Sequence, residues 1–129
     1  MIHPPRYFSI RGMKAAPYNE ETKSKKAMRK WQEHLEDELR TQPKIQDFPK
    51  PPRFAVDFIF VFTEINVKSV DLDNLAKPVL DVFFISSGYP SFFLCDANDS
   101  LVFDVRVRKV GVPVKKHEEE GVDVILTWW

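Results

Sequence analysis

Phe54-Ala55-Val56-Asp57-Phe58-Ile59-Phe60-Val61-Phe62-Thr63 is the stretch on which the fold turns. Side-chain direction alternates along a strand, so Phe54, Val56, Phe58, Phe60 and Phe62 form one apolar face. Ala55, Ile59 and Val61 make the opposite side mostly apolar too, with Asp57 as its exception. A strand of this kind is expected near the middle of a sheet, with cover on both faces. Moving toward the N-terminus, residues 41–53 contain Pro43, Pro49, Pro51 and Pro52 and predict an ordered connection rather than an element. Before it, Met28, Trp31, Leu35 and Leu39 recur at spacings of three and four, which predicts an amphipathic helix over 21–39, or a slightly shorter one capped by Thr22. Residues 7–12 read as a first strand, with Phe8 and Ile10 facing one way and Ser9 and Arg11 the other.

Moving the other way, Val70-Asp71-Leu72-Asp73-Asn74-Leu75-Ala76-Lys77 leads into a helix ending near Phe84, with Leu75, Val79 and Phe83 in register. Pro78 would remove a hydrogen bond from a helix begun too early, so an irregular or late start is expected. Residues 86–93 read as a turn or loop around Ser86-Ser87-Gly88-Tyr89-Pro90. Over 101–109, Leu101, Phe103, Val105 and Val107 alternate against Asp104, Arg106 and Arg108, as in a strand. Residues 111–120 are polar and predict a mobile connection, and 121–129 return as a last strand carrying Val122, Val124 and Leu126. The order is β-α-β-α-β-β. It predicts an α+β domain with a mixed β-sheet and two main helices, the final two strands forming a hairpin. No stretch within 1–129 marks a domain boundary, so a single domain is expected.

A hydrophobic fraction of 43% and an aromatic fraction of 13% exclude a disordered chain. The apolar runs are too short to span a bilayer, and no charged segment leading into an apolar one opens the sequence, which together predict a cytoplasmic protein without membrane contact. Cys95 is the single cysteine and is expected to be structural, since it has no partner for an internal disulfide. Net charge is formally zero, but the charges are sorted. Lys23, Lys25, Lys26, Arg29 and Lys30 occupy the first half of the long helix, and Glu33, Glu36, Asp37 and Glu38 the second. That order opposes the helix macrodipole, and it reads either as a solvated face or as a positive end kept for phosphates. A second basic group, Arg106, Arg108, Lys109, Lys115 and Lys116, lies beside Glu118-Glu119-Glu120.

The densest chemistry lies in the Asp71–Lys77 stretch. Asp71 and Asp73 would share one face of an extended segment, and two such carboxylates repel unless they share a proton, stay hydrated or bind a cation. A hard divalent ion such as Mg²⁺ is the natural partner of their oxygens. Lys77 lies four residues beyond Asp73, which on a helix returns it to the same face, either to pair a carboxylate or to meet a phosphate. Asn74 suits ligand orientation or helix capping. Asp81, two helical turns beyond Asp73, could face the same cavity or be a solvated face or a salt-bridge partner, while Asp96 could supply a carboxylate that Asn98 lacks or simply terminate the loop before it. The bland reading is that the acids cap a helix and that Asp73 and Lys77 form an ordinary pair.

This layout resembles the RusA family of Holliday junction resolvases, the small phage and bacterial nucleases of four-way DNA junctions. The match rests on Asp71-Leu72-Asp73-Asn74-Leu75-Ala76-Lys77 with Leu80-Asp81, and on Asp99-Ser100-Leu101-Val102 followed by Asp104, Arg106 and Lys109. Phe8-Ser9-Ile10-Arg11-Gly12 and Trp31 resemble the opening strand and first helix. The resemblance implies a homodimer that binds branched double-stranded DNA and makes paired nicks with Mg²⁺, or with Mn²⁺. It puts the metal ligands at Asp71, Asp73 and Asp99 and the catalytic lysine at Lys77. DNA contact would fall to Lys14, Lys26, Arg29, Lys30, Arg106, Arg108 and Lys109. The chain departs from the family pattern where Asn98-Asp99 replaces a pair of acids, and a homologue that binds DNA or a protein without cutting is the alternative.

Overall fold

The computed structural model describes residues 5–18, 22–46, 48, 52–85 and 92–129, with backbone alone at 22–24. Four strands, β1 (Arg6–Arg11), β2 (Phe54–Thr63), β3 (Val102–Val112) and β4 (Gly121–Trp128), form one sheet in the order β1-β4-β2-β3. Between them lie α1 (Thr22–Leu39), the four-residue α2 (Glu64–Val67) and α3 (Ala76–Phe83), with 3₁₀ turns at Leu72–Asn74, Asp99–Leu101 and Val114–Glu119. This is the expected α+β class with a mixed sheet. β2 and β3 run parallel, joined through α3, while β4 runs antiparallel to both β1 and β2.

Three expectations are corrected, two of them in the sheet. β3 and β4 do not form a hairpin: β4 crosses over β2 and pairs between β1 and β2, leaving β3 on the edge. β2 is flanked by β3 and β4 as expected, but the main helices cover only one of its faces. Phe54, Val56, Phe58, Phe60 and Phe62 are buried in one cluster with Met28, Trp31, Leu35 and Leu39 of α1 and Val79, Val82 and Phe83 of α3. On the other side Ala55, Asp57 and Ile59 are only half-buried, beside Asp123, Ile125 and Thr127 of β4. β2 tolerates this because its second face is charged at Asp57 and small at Ala55, so water there costs little.

Pro78 falls in the first turn of α3, where a backbone N–H has no intrahelical partner, so the delayed helix start loses nothing to it. Its carbonyl accepts from the buried Gln32 Nε2 at 3.1 Å, which fastens α1 to α3. The stretch after β3 is not a loose loop: the strand runs on to Val112, and Val114–Glu119 winds into 3₁₀ turns. The expected loop at 86–93 lies mostly outside the described residues; Phe92 and Phe93, which are described, are half-buried. No helix among the described residues is long and apolar enough to cross a membrane.

Gly121 opens β4 against β1 so closely that a Cβ there would sit 1.9 Å from the carbonyl oxygen of Ile10. The obstacle is backbone, which cannot swing aside. Gly121→Ala is therefore expected to pry the β1–β4 ladder apart at a cost of about 1–3 kcal/mol. Gly111→Ala, whose Cβ would meet Val67 Cγ1 at an ordinary 3.4 Å, should stay within about 0.5 kcal/mol of the parent. Urea unfolding of the two variants side by side checks the contrast.

Candidate functional site

The acidic stretch leaves β2 through α2, and three groups hold that exit. Thr63 caps α2 by accepting from the Asn66 N–H at 3.4 Å. The buried Glu120, just before β4, accepts from the Thr63 N–H and from Asn66 Nδ2, both at 3.0 Å. Lys109 on β3 reaches over to donate to the carbonyl of Val70 at 2.6 Å. From the opposite side, the Tyr18 N–H donates to the Asn74 carbonyl at 2.7 Å. The turn Leu72–Asn74 is thus tied to β3 and to the segment that follows β1. Leu72 packs on the core, while Asp71, Asp73 and Asn74 are exposed.

Neither acid serves as a helix cap. Asp71 stands at the N-cap of the turn but makes no side-chain cap hydrogen bond, and the residue at the cap of α3 is Leu75. Among the described residues neither Asp71 nor Asp73 forms an ion pair. A cleft of about 350 Å³ opens beside them, lined by Lys14, Pro17, Tyr18, Ser69, Val70, Asp71 and Asn74. Lys77 does not pair with Asp73, because the 3₁₀ turn interrupts the helix the spacing had assumed. Its ammonium lies 3.5 Å from Asp81 Oδ1, one turn further along α3, and 5.5 Å from the centre of the Tyr18 ring. Asp81 is fully buried, so this carboxylate and the half-exposed lysine hold one another in place.

Asp99 is elsewhere. Its N–H donates to the carbonyl of Ile85, just beyond the C-terminal end of α3, whereas Asp73 lies before the N-terminal end. The eight residues of α3 alone separate those ends by about 12 Å. Along the sheet, Asp99 precedes Val102, seven residues or about 23 Å from the Lys109 that grips the acidic turn. Among the described residues no three His, Cys, Asp or Glu side chains converge on a position for a metal ion. The donor chemistry of Asp71, Asp73 and Asp99 suits Mg²⁺, but one chain does not bring the three together. Asp96 is exposed on the same segment as Asn98 and Asp99, away from the acidic turn.

Asn98 has a local task. Its Oδ1 accepts the Ser100 N–H at 2.8 Å, capping the Asp99–Leu101 turn. An aspartate would do the same, so the amide keeps the cap and gives up a charge. The basic residues divide between two surfaces. Lys14 lines the cleft, and Lys26 and Lys30 are exposed on α1, whose Arg29 lies 3.4 Å from the Gln32 that binds Pro78 at the start of α3. Arg106 and Arg108 are in register with Asp57 and Ile59, on the sheet face turned away from the helices and from the cleft. Arg106 is 3.7 Å from Asp104 there. Lys109, expected to touch DNA, is occupied in fixing Val70. Lys109 has the opposite parity to the two arginines on β3, and the topology puts the acidic turn on its side.

Cys95 is fully buried, and burial pushes its thiol up to about 12, so it stays protonated and inert. Lys109→Met should remove about 1 kcal/mol of stability, since the bond it breaks is charge-assisted but half-exposed. The larger effect should be local: faster amide exchange from Ser69 to Leu75, readable by hydrogen–deuterium exchange.

Comparison with protein-family models, curated proteins and solved structures returned no match to this chain.

Proposed function

We propose that this protein is a metal-dependent endonuclease of branched DNA that works as a homodimer, with its chemistry centred on the acidic turn. The observation that carries the reading is the idleness of Asp71 and Asp73, two exposed carboxylates on a tethered turn that cap nothing and pair with nothing among the described residues. Exposed and uncommitted carboxylate oxygens two residues apart are the donor type that a hard divalent ion takes. Such an ion would supply an activated water and charge neutralisation at the phosphate. Around it the chain's own groups have clear tasks. Lys77, oriented by Asp81 and Tyr18, would face the charge that develops on the scissile phosphate. Lys14 in the cleft, with Lys26, Arg29 and Lys30 on α1, would follow the backbone of the incoming strand.

A second reading is favoured by a specific observation. The acids do not assemble within one chain, and Asn98 has surrendered a charge, so a dimer that binds DNA or a protein without cutting it is the alternative. The deciding experiment incubates the protein with a synthetic four-way junction and with linear duplex, in Mg²⁺ or in EDTA. Symmetric nicks in the junction that need the metal support the nuclease. A retarded but uncut junction in Mg²⁺ and in Mn²⁺ favours the non-cutting reading.

A further inference from the structure

The acidic run Glu118-Glu119-Glu120 divides by burial. Glu118 is exposed, Glu119 is half-buried, and Glu120, just before β4, is 6% exposed. Burying a carboxylate costs free energy unless its oxygens are engaged. The Thr63 N–H and Asn66 Nδ2 both donate to one oxygen of Glu120, Oε2. Asn66 passes the constraint on, because its carbonyl accepts the Ser69 N–H at 3.1 Å and the Ser69 hydroxyl at 3.0 Å. Ser69, Val70 and Asp71 then line the cleft.

The backbone of the same residue holds the other side. Its carbonyl accepts the Gly12 N–H at 3.0 Å, where the chain leaves β1 with a φ of +95°, an angle that favours glycine. Lys14, Pro17 and Tyr18 of that departing segment also line the cleft. The two segments meet again where the Tyr18 N–H donates to the Asn74 carbonyl at 2.7 Å. Every residue lining the cleft therefore belongs to 12–18 or to 63–74, and both segments are fastened to Glu120 as they leave the sheet.

We propose that Glu120 is a positioning residue for the acidic turn, setting the two walls of the cleft against each other from one buried point. A carboxylate here does two things that a packing side chain cannot. It satisfies the N–H at which β2 ends, and it holds the α2 turn at the angle that carries Ser69 to Asp71 into the cleft. Groups that orient ligands from behind are typically worth about 10–100-fold in metal affinity. That consequence rests on the nuclease reading, in which Asp71 and Asp73 take a divalent ion. The hold on the two segments does not.

The test uses the full chain without DNA and measures hydrogen–deuterium exchange, with Mn²⁺ binding by calorimetry. Both side-chain bonds use Oε2, so Glu120→Gln keeps an acceptor in place while removing the charge, and it should match the parent in both measurements. Glu120→Ala should quicken exchange in 12–18 and 63–74 together, by more than in α1 and α3, and weaken Mn²⁺ binding about tenfold. Asn66→Ala, a half-buried change outside the core, should quicken exchange over 66–71 and weaken Mn²⁺ binding to a smaller extent; it decides the matter should Glu120→Ala not fold. Equal quickening throughout the chain, a Glu120→Gln variant as impaired as Glu120→Ala, or loosened walls with the parent's Mn²⁺ affinity would overturn the proposal. A parent that takes up no Mn²⁺ would overturn the nuclease reading alone, and the exchange pattern would still decide the role of Glu120.

Discussion

Asp73→Asn should lower metal-dependent nicking of a four-way junction by at least about 100-fold, the range seen when one group that stabilises a transition state is removed. Asp71→Asn should do the same. Both residues are exposed and neither caps a helix, so the fold has little to lose, and unfolding free energies should stay within about 0.5 kcal/mol of the parent. Junction binding in EDTA should be unchanged or slightly tighter, because removing a negative charge near phosphates favours association. Asp57→Asn is the matched control. It removes a half-buried acid from the opposite sheet face and should leave the rate alone. Equal rates for Asp73→Asn and Asp57→Asn, in a preparation that cuts, would remove the acidic turn from the mechanism.

The largest loss of stability is expected at Trp31. Its side chain is fully buried on α1, stacked on His34 with ring centroids 6.2 Å apart, in the cluster that joins α1 to β2 and α3. Trp31→Ala should cost about 3–5 kcal/mol, a large part of the roughly 5–15 kcal/mol that holds a domain of this kind together. Trp31→Phe should cost far less than its lost volume implies. The indole Nε1–H is buried with no hydrogen-bond partner among the described residues, and relief of that group, worth about 1–3 kcal/mol, offsets much of the void. Urea denaturation measures both costs. A Trp31→Phe cost as large as its lost volume alone implies, about 1–3 kcal/mol above the expected value, would mean that the indole N–H is satisfied in solution.

What sequence reading reached, and what it could not, follows from the range of each interaction. β2 was legible from end to end because an apolar residue, four times phenylalanine and once Val56, on every second position leaves no other period to choose. α1 was legible for the same reason at a spacing of three and four. The acidic turn was legible too, since its acids, amide and lysine are neighbours in the chain. α2 was not, because Glu64–Val67 is a single short turn held by Glu120, far away in sequence. Nor was the place of β4. Alternation reports which side of a strand is apolar and says nothing about which strand lies next to it, so a hairpin between consecutive strands was the default. That one error carried into the site. With β4 crossing to the interior of the sheet, β3 is left on the edge, Arg106 and Arg108 face away from the acids, and Asp99 begins a strand whose far end is the one that touches Val70.

The sheet order has a consequence for how the protein is made. β1, β2 and β3 leave the ribosome before β4, yet β1 has no neighbour in the sheet except β4. Until Gly121–Trp128 emerge, the nascent chain can join β2 to β3 through α3, but β1 stays unattached, and one flank of the phenylalanine-rich β2 stays open to any other extended peptide. The emergence of β4 therefore brings a strand insertion that closes both gaps at once. Such late, long-range closure is slow compared with the folding of helical bundles, and it leaves a sticky intermediate. A stalled ribosome or a stop codon ahead of Gly121 would release an aggregating fragment rather than a smaller working domain.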